Sequence, residues 1–246
     1  MRLTTRDKKR NRNPVKTNRA ERLYESQLSK VARQVGSIVN GFPLGDPDSG
    51  PRVSSVLARY ADLLNDWAVS TASQMLTEVN QQDRKAWATM SENMTSSLRE
   101  EIRTAPTGAV MKNLLAEQVT LIKSIPLDAA KRVHELTLKG IEDGTRGSEI
   151  AKEIQRSGEV AEGRAKVIAR TEVSRTASTL LEARAKAVGS EGYIWRTSGD
   201  TDVRHSHEKM NGQFVRWDSP PTLDKLTGHA GCLPNCRCYP NPVIPE

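Results

Sequence analysis

YIWRTSGDTDVRHSHEKMNGQFVRWDSPPTLDKLTGHAGCLPNCRC, residues 193–238, is the stretch on which the reading of this chain turns. It holds all three cysteines, three of the four histidines and two of the four tryptophans. Its short segments are broken by glycine and proline, whereas the chain before it reads as helix. Side chains able to ligate a metal are thus gathered into one small non-helical module, which the rest of the chain positions.

Within the stretch, Tyr193 to Thr197 is predicted to be a strand and Ser198 to Thr201 a turn. Asn211-Gly212 signals a hairpin between two short strands drawn from VRHSHEKMNGQFVRW. Residues 219–231 have no assignable pattern, and a last strand is expected through Cys236 to Tyr239. The chemistry lies in Cys232-x3-Cys236-x-Cys238, with His229 three residues before the first cysteine and His207 beside the expected hairpin. Zinc takes four tetrahedral nitrogen or sulfur ligands and can fold a loop-rich module that lacks a large core. Five candidates, Cys232, Cys236, Cys238, His229 and His207, compete for the four places. Cys236 and Cys238 face the same way if that segment is extended. Reduced structural cysteines and a late-formed disulfide are the other readings of the same residues. Asp200, Asp202, Arg204, His205, His207 and Glu208 form a polar run able to supply a general base beside a metal. A zinc-dependent nuclease or toxin-like enzyme is therefore the alternative function, although no residue is assigned as catalytic.

Upstream, three- and four-residue apolar spacing predicts helices throughout. The first starts near Ala20, with Leu23, Leu28, Val31, Val35 and Ile38 as its stripe, and stops at Gly41. FPLGDPDSGP, residues 42–51, carries three prolines and two glycines and is read as a hinge. One long helix is expected from Pro51 to Val79, another over residues 82–103 ending before Pro106, and a third from Thr107 to Ile125. Pro126 starts the next, to Asp143. A short helix over 148–156 and a longer one over 159–188, containing ARTEVSRTA (169–177), complete the region. His134 stands alone among these helices and is read as a surface or packing residue.

The net charge is +7. Residues 1–22 hold nine basic and two acidic side chains, so they account for the whole excess and the remainder balances to zero. Residues 1–19 lack periodic apolar positions and are expected to form a disordered basic arm. The arm is either solubilising or a contact for nucleic-acid phosphates through Arg6, Lys8, Lys9, Arg10, Arg12 and Lys16. No apolar run is long enough to span a membrane, and no apolar stretch follows the N-terminal basic residues as in a secretory signal. A cytosol-like, reducing compartment is therefore expected, where three cysteines within seven residues suit metal binding better than a disulfide framework. The division expected is a basic arm (1–19), a helical region (20–188) and a β module (189–246). The fold class is α+β, an extended helical N-terminal region followed by a small β-rich Cys/His module.

The order IWRTSGDTDVRHSHEKMNGQF, then a Gly/Pro-rich spacer and LPNCRC, resembles the C-terminal signature of the Mu F-like phage head morphogenesis family, whose members are minor capsid proteins. The resemblance falls on Ala169 to Glu172, Trp195, Thr197, Asp200 or Asp202, Arg204, His207, Gly212, Cys236, Arg237 and Cys238, and covers residues 165–243. It implies a structural protein of the virion, attached near the portal vertex inside the capsid and assembled in the host cytoplasm. It implies the portal protein, capsid proteins and the double-stranded DNA genome as partners, with a part in head assembly and in DNA packaging or ejection. It also implies that Arg170 and Glu172 tie their helix to the β module by buried hydrogen bonds. Cys232 departs from the terminal CRC pattern, and no family motif is recognised before Ala165.

Overall fold

The computed structural model describes residues 13–43, 48–143 and 147–245. Among these, the chain forms α1 (Asn18–Asn40), α2 (Ser49–Leu63), α3 (Asn65–Met90), α4 (Ser96–Thr104), α5 (Thr107–Glu142), α6 (Gly147–Gln155) and α7 (Ser157–Ala187). The module follows as β1 (Gly192–Arg196), α8 (His205–Met210), β2 (Phe214–Arg216), β3 (Thr222–Leu223), β4 (Leu226–Thr227) and β5 (Tyr239–Val243). The architecture is α+β, long helices followed by a small antiparallel β module.

The chain separates into two compact units that cut across sequence order. One gathers described residues of Met1–Ala20, Met75–Leu114 and Arg170–Glu246; the other comprises those of Glu21–Gln74 and Leu115–Ala169. In the second unit, α1 buries Tyr24, Leu28, Val31, Val35 and Val39. Its stripe is thus turned slightly from the expected one, with Leu23 exposed and Tyr24 donating a hydrogen bond to Gln118 at 3.0 Å. A buried partner for the phenol outweighs the aliphatic side chain next to it. Gly158 sits against α1 so closely that a Cβ there would lie 2.9 Å from the Gly36 Cα.

Three helix boundaries differ from expectation. The long helix over 51–79 is two, α2 and α3, separated at Leu64, although backbone bonds continue from Leu64 N to Tyr60 O and from Ala68 N to Leu64 O. α3 then passes residue 82 without a break and stops at Met90. The chain restarts at α4, where Thr95 caps the helix by accepting from the Leu98 N–H. α5 runs through Pro126 rather than ending there. Proline removes one helical hydrogen bond, but Ile122, Ile125, Ala129 and Val133 are buried on both sides of it and hold the helix together. α1 begins at Asn18, and Val15 is already buried ahead of it, both inside the segment expected to be an arm.

In the first unit, Trp87, Ile102, Val173, Leu180, Leu181 and Trp195 are core residues. Arg184 is buried with Asp83: its Nε donates to Asp83 at 2.6 Å, its Nη1 to the Ile102 carbonyl at 2.8 Å and its Nη2 to Asn80 at 3.2 Å. One side chain of α7 thereby fastens α3 and the last turn of α4. The sheet has the order β2-β1-β5, all antiparallel, with β1 central. β5 carries Pro240 and Pro242 opposite Trp195 and Tyr193. Prolines are tolerated on an edge strand because a missing N–H can face outward there. That composition hid the strand, which lies at 239–243 instead of 236–239. β3 and β4 form a separate two-residue ladder across Asp224 and Lys225, both at positive φ, in the segment where the sequence shows no pattern.

Candidate metal centre

The expected hairpin at Asn211-Gly212 is replaced by α8, which delivers His207. Residues 203–210 lack the alternation of a strand, and a helical turn buries His207 while leaving His205 and Glu208 exposed. Gly212 takes a φ of +86° and donates to Trp195 O at 2.8 Å, so β2 returns to β1 and not to a strand at 203–210. His207 is 2 % exposed and stands edge-on to Trp195, ring centroids 5.6 Å apart.

The sulfurs come from the turn that precedes β5. Asn235, at φ +55°, donates its N–H to the Thr171 hydroxyl on α7 at 3.0 Å, and Cys236 N–H donates to Leu233 O at 2.9 Å. Arg204 holds the Pro234 carbonyl at 2.7 Å. Arg237 is shared between Asp200 at 3.0 Å and Asp202 at 2.9 Å. These residues clamp the backbone so that both thiols of Cys236 and Cys238 turn inward, through a loop rather than through strand alternation. Gly231 completes the seat at φ +83°; a Cβ there would lie 2.4 Å from Ser178 Oγ and 3.0 Å from Cys238 O.

The result is a buried group of three: His207 Nδ1 is 3.4 Å from Cys236 Sγ and 3.6 Å from Cys238 Sγ, and the three ligand atoms lie within 4.8 Å of one another. A tetrahedral zinc with bonds of about 2.3 Å to sulfur and about 2.0 Å to nitrogen separates those ligands by about 3.5 Å. The donor set fits a metal of that kind. A hydrogen bond from Cys238 pulls the Cys236 thiol down to about 6, against burial, with backbone N–H groups and His207 assisting. Cys238 is pushed up, first by that same hydrogen bond and then by burial. The pair thus favours the thiolate on Cys236, the form that ligates.

The other two sequence candidates do not join. His229 accepts or donates at 3.2 Å with the Tyr193 hydroxyl and packs against Tyr193 and Trp217, while Tyr193 also takes the Ala230 N–H. It serves the aromatic wall of the module. Cys232 lies outside the group, and burial raises its thiol to about 12. His134 is exposed, as its isolation suggested. Asp200 and Asp202 are engaged by Arg237, so they hold the turn and are not aimed at the cluster.

On α7, Glu172 is buried and ion-paired with Arg175 at 3.3 Å, whereas Arg170 is exposed. Thr171, between them, makes a hydrogen bond to the module. Thr171 and Gly231 are the site residues that sequence reasoning passed over; the only signal was their place inside the ARTE stretch and next to Cys232. Lys16 is exposed, and Arg6, Lys8, Lys9, Arg10 and Arg12 lie outside the described residues.

Residues 131–240 match the family described as Phage Mu protein F like protein, so the resemblance seen in the module extends upstream onto α5. A protein of Haemophilus influenzae (strain ATCC 51907 / DSM 11121 / KW20 / Rd), described as uncharacterized, is 28 % identical over 249 residues, 94 % of this chain and 55 % of its own length. The chain thus spans about half the length of that curated relative. No solved structure matches.

Proposed function

We propose that this chain, whose residues 131–240 carry a Phage Mu protein F like domain, is a phage head morphogenesis protein with a structural role. The observation that carries the reading is how the polar residues of the matched segment are used. Asp200, Asp202, Arg204, Arg237 and Thr171 all make hydrogen bonds that hold one turn. In this reading His207, Cys236 and Cys238 hold zinc, which cross-links α8 to the turn before β5 and fixes a module too small to fold on its core alone. The helical region, residues 20–188, docks on the portal or on capsid proteins at the portal vertex, and the basic arm lies against the double-stranded genome within the virion, assisting its packaging or ejection.

Deleting the coding sequence from a phage that carries it tests the role. The expected result is incomplete or DNA-poor heads, and normal yields of infectious, DNA-filled particles would refute it. One observation favours the enzyme reading: three protein ligands leave a fourth place, as in catalytic zinc sites. Nuclease or other hydrolase activity in the metal-loaded chain, abolished by His207→Ala in a protein that still folds, would establish that alternative.

A further inference from the structure

In the first unit, a cavity of about 430 Å³ opens beside α3 and α4, lined by Arg84 and Trp87 of α3, Arg99 and Arg103 of α4, and Arg184 of α7. Its lining contains four arginines and no carboxylate. Two of the four are neutralised: Arg184 by Asp83, and Arg103 by Glu100 at 2.8 Å. Arg84 and Arg99 make no ion pair with any described residue. Trp87 supplies an apolar wall; it is 2 % exposed, and its buried indole N–H has no hydrogen-bond partner among the described residues. Arg184 spends three of its N–H groups on Asp83, Ile102 and Asn80, so it is held rigidly at the edge of the space.

We propose that this cavity binds a phosphate group, gripped by Arg84 and Arg99. Guanidinium forks suit both carboxylate and phosphate. Here the two cations come from two different helices, Arg84 from α3 and Arg99 from α4. A carboxylate presents two oxygens in one plane and a single charge. A phosphate presents oxygens in tetrahedral directions and up to two charges, and so suits two guanidinium groups at once. The volume exceeds that of the bare ion and leaves room for whatever the phosphate is attached to. Apart from Arg184, the lining lies outside residues 131–240, so the inference does not rest on the head-protein reading, and its failure would leave that reading standing.

The same phosphate chemistry can come from a free phosphate or from a nucleic-acid strand, and titration of the full chain separates the two. Inorganic phosphate, acetate and a short single-stranded oligonucleotide are titrated into the wild type and into Arg84→Gln/Arg99→Gln. Arg84 and Arg99 are themselves exposed, so Arg52→Gln/Arg59→Gln, likewise exposed and equal in charge change, serves as the control. Saturable phosphate binding that weakens about tenfold or more in the cavity variant and not in the control supports a free-phosphate ligand. Oligonucleotide affinity that falls by that factor only in the cavity variant, with no saturable inorganic phosphate binding, supports a strand phosphate. Equal losses in the two variants, no loss in either, or acetate binding as tightly as phosphate would overturn the proposal. Circular dichroism of both variants, expected to match the wild type, shows that each loss belongs to binding.

Discussion

Replacing Arg184 by methionine tests what holds α3, α4 and α7 together in the first unit. The guanidinium is 3 % exposed and Asp83 not at all, so the substitution leaves a carboxylate buried without its cation. Breaking a buried pair in this way costs about 3–5 kcal/mol, and the orphaned Ile102 carbonyl falls within that sum. Replacing both partners, Asp83→Leu with Arg184→Met, removes the stranded charge and leaves the carbonyl, so the double variant should lose only about 1–3 kcal/mol. A pH signature accompanies this. Burial pushes Asp83 up to about 6 even though Arg184 pulls it down by hydrogen bonding and charge. A carboxyl raised above its unfolded value contributes stability that is fully present below about pH 4 and is lost as pH rises through about 6. Without Arg184 only the raising influence remains, so that window widens upward. Arg184→Met should therefore lose less at about pH 5 than at about pH 7.5. Urea unfolding followed by tryptophan fluorescence at both pH values measures each quantity, since Trp87, Trp195 and Trp217 all report on this unit. A double variant no more stable than Arg184→Met, or a loss identical at the two pH values, would refute the reasoning.

The purified chain should carry about one zinc, and His207→Ala should lower its zinc content at least tenfold as read by elemental analysis; retention of full zinc by this variant would place the ligands elsewhere. Gly231→Ala should destabilise by more than the roughly 1–2 kcal/mol of a left-handed conformation, because the new Cβ also meets Ser178 and the Cys238 carbonyl; a chemical-denaturation midpoint equal to that of the wild type would contradict the close approach. Removing residues 1–12, which spares the buried Val15, should weaken binding to random duplex DNA and flatten its dependence on salt. Unchanged affinity and slope would show that the arm is not the contact.

Composition and local pattern by themselves determined that most of the chain is helical, that the β module begins after residue 188, and that the thiols and imidazoles belong to that module, because helical periodicity and breaker residues are local signals. The resemblance to the Mu F-like family was equally local, since the residues that carry it follow one another in a fixed order around Trp195, Arg204 and His207. Which of the five candidate ligands meet was decided only in three dimensions. Cys232 and His229 lie only four and seven residues from Cys236, yet His207, 29 residues away, is the imidazole that reaches it. Burial sets that choice: α8 turns His207 onto Trp195, the Thr171 hydroxyl and Arg237 shape the turn that points Cys236 and Cys238 at it, and His229 is taken up by Tyr193 and Trp217. The buried Arg184–Asp83 pair, 101 residues apart, and the continuity of α5 through Pro126 were likewise beyond local reading, because in both the deciding energy comes from side chains contributed by distant parts of the chain.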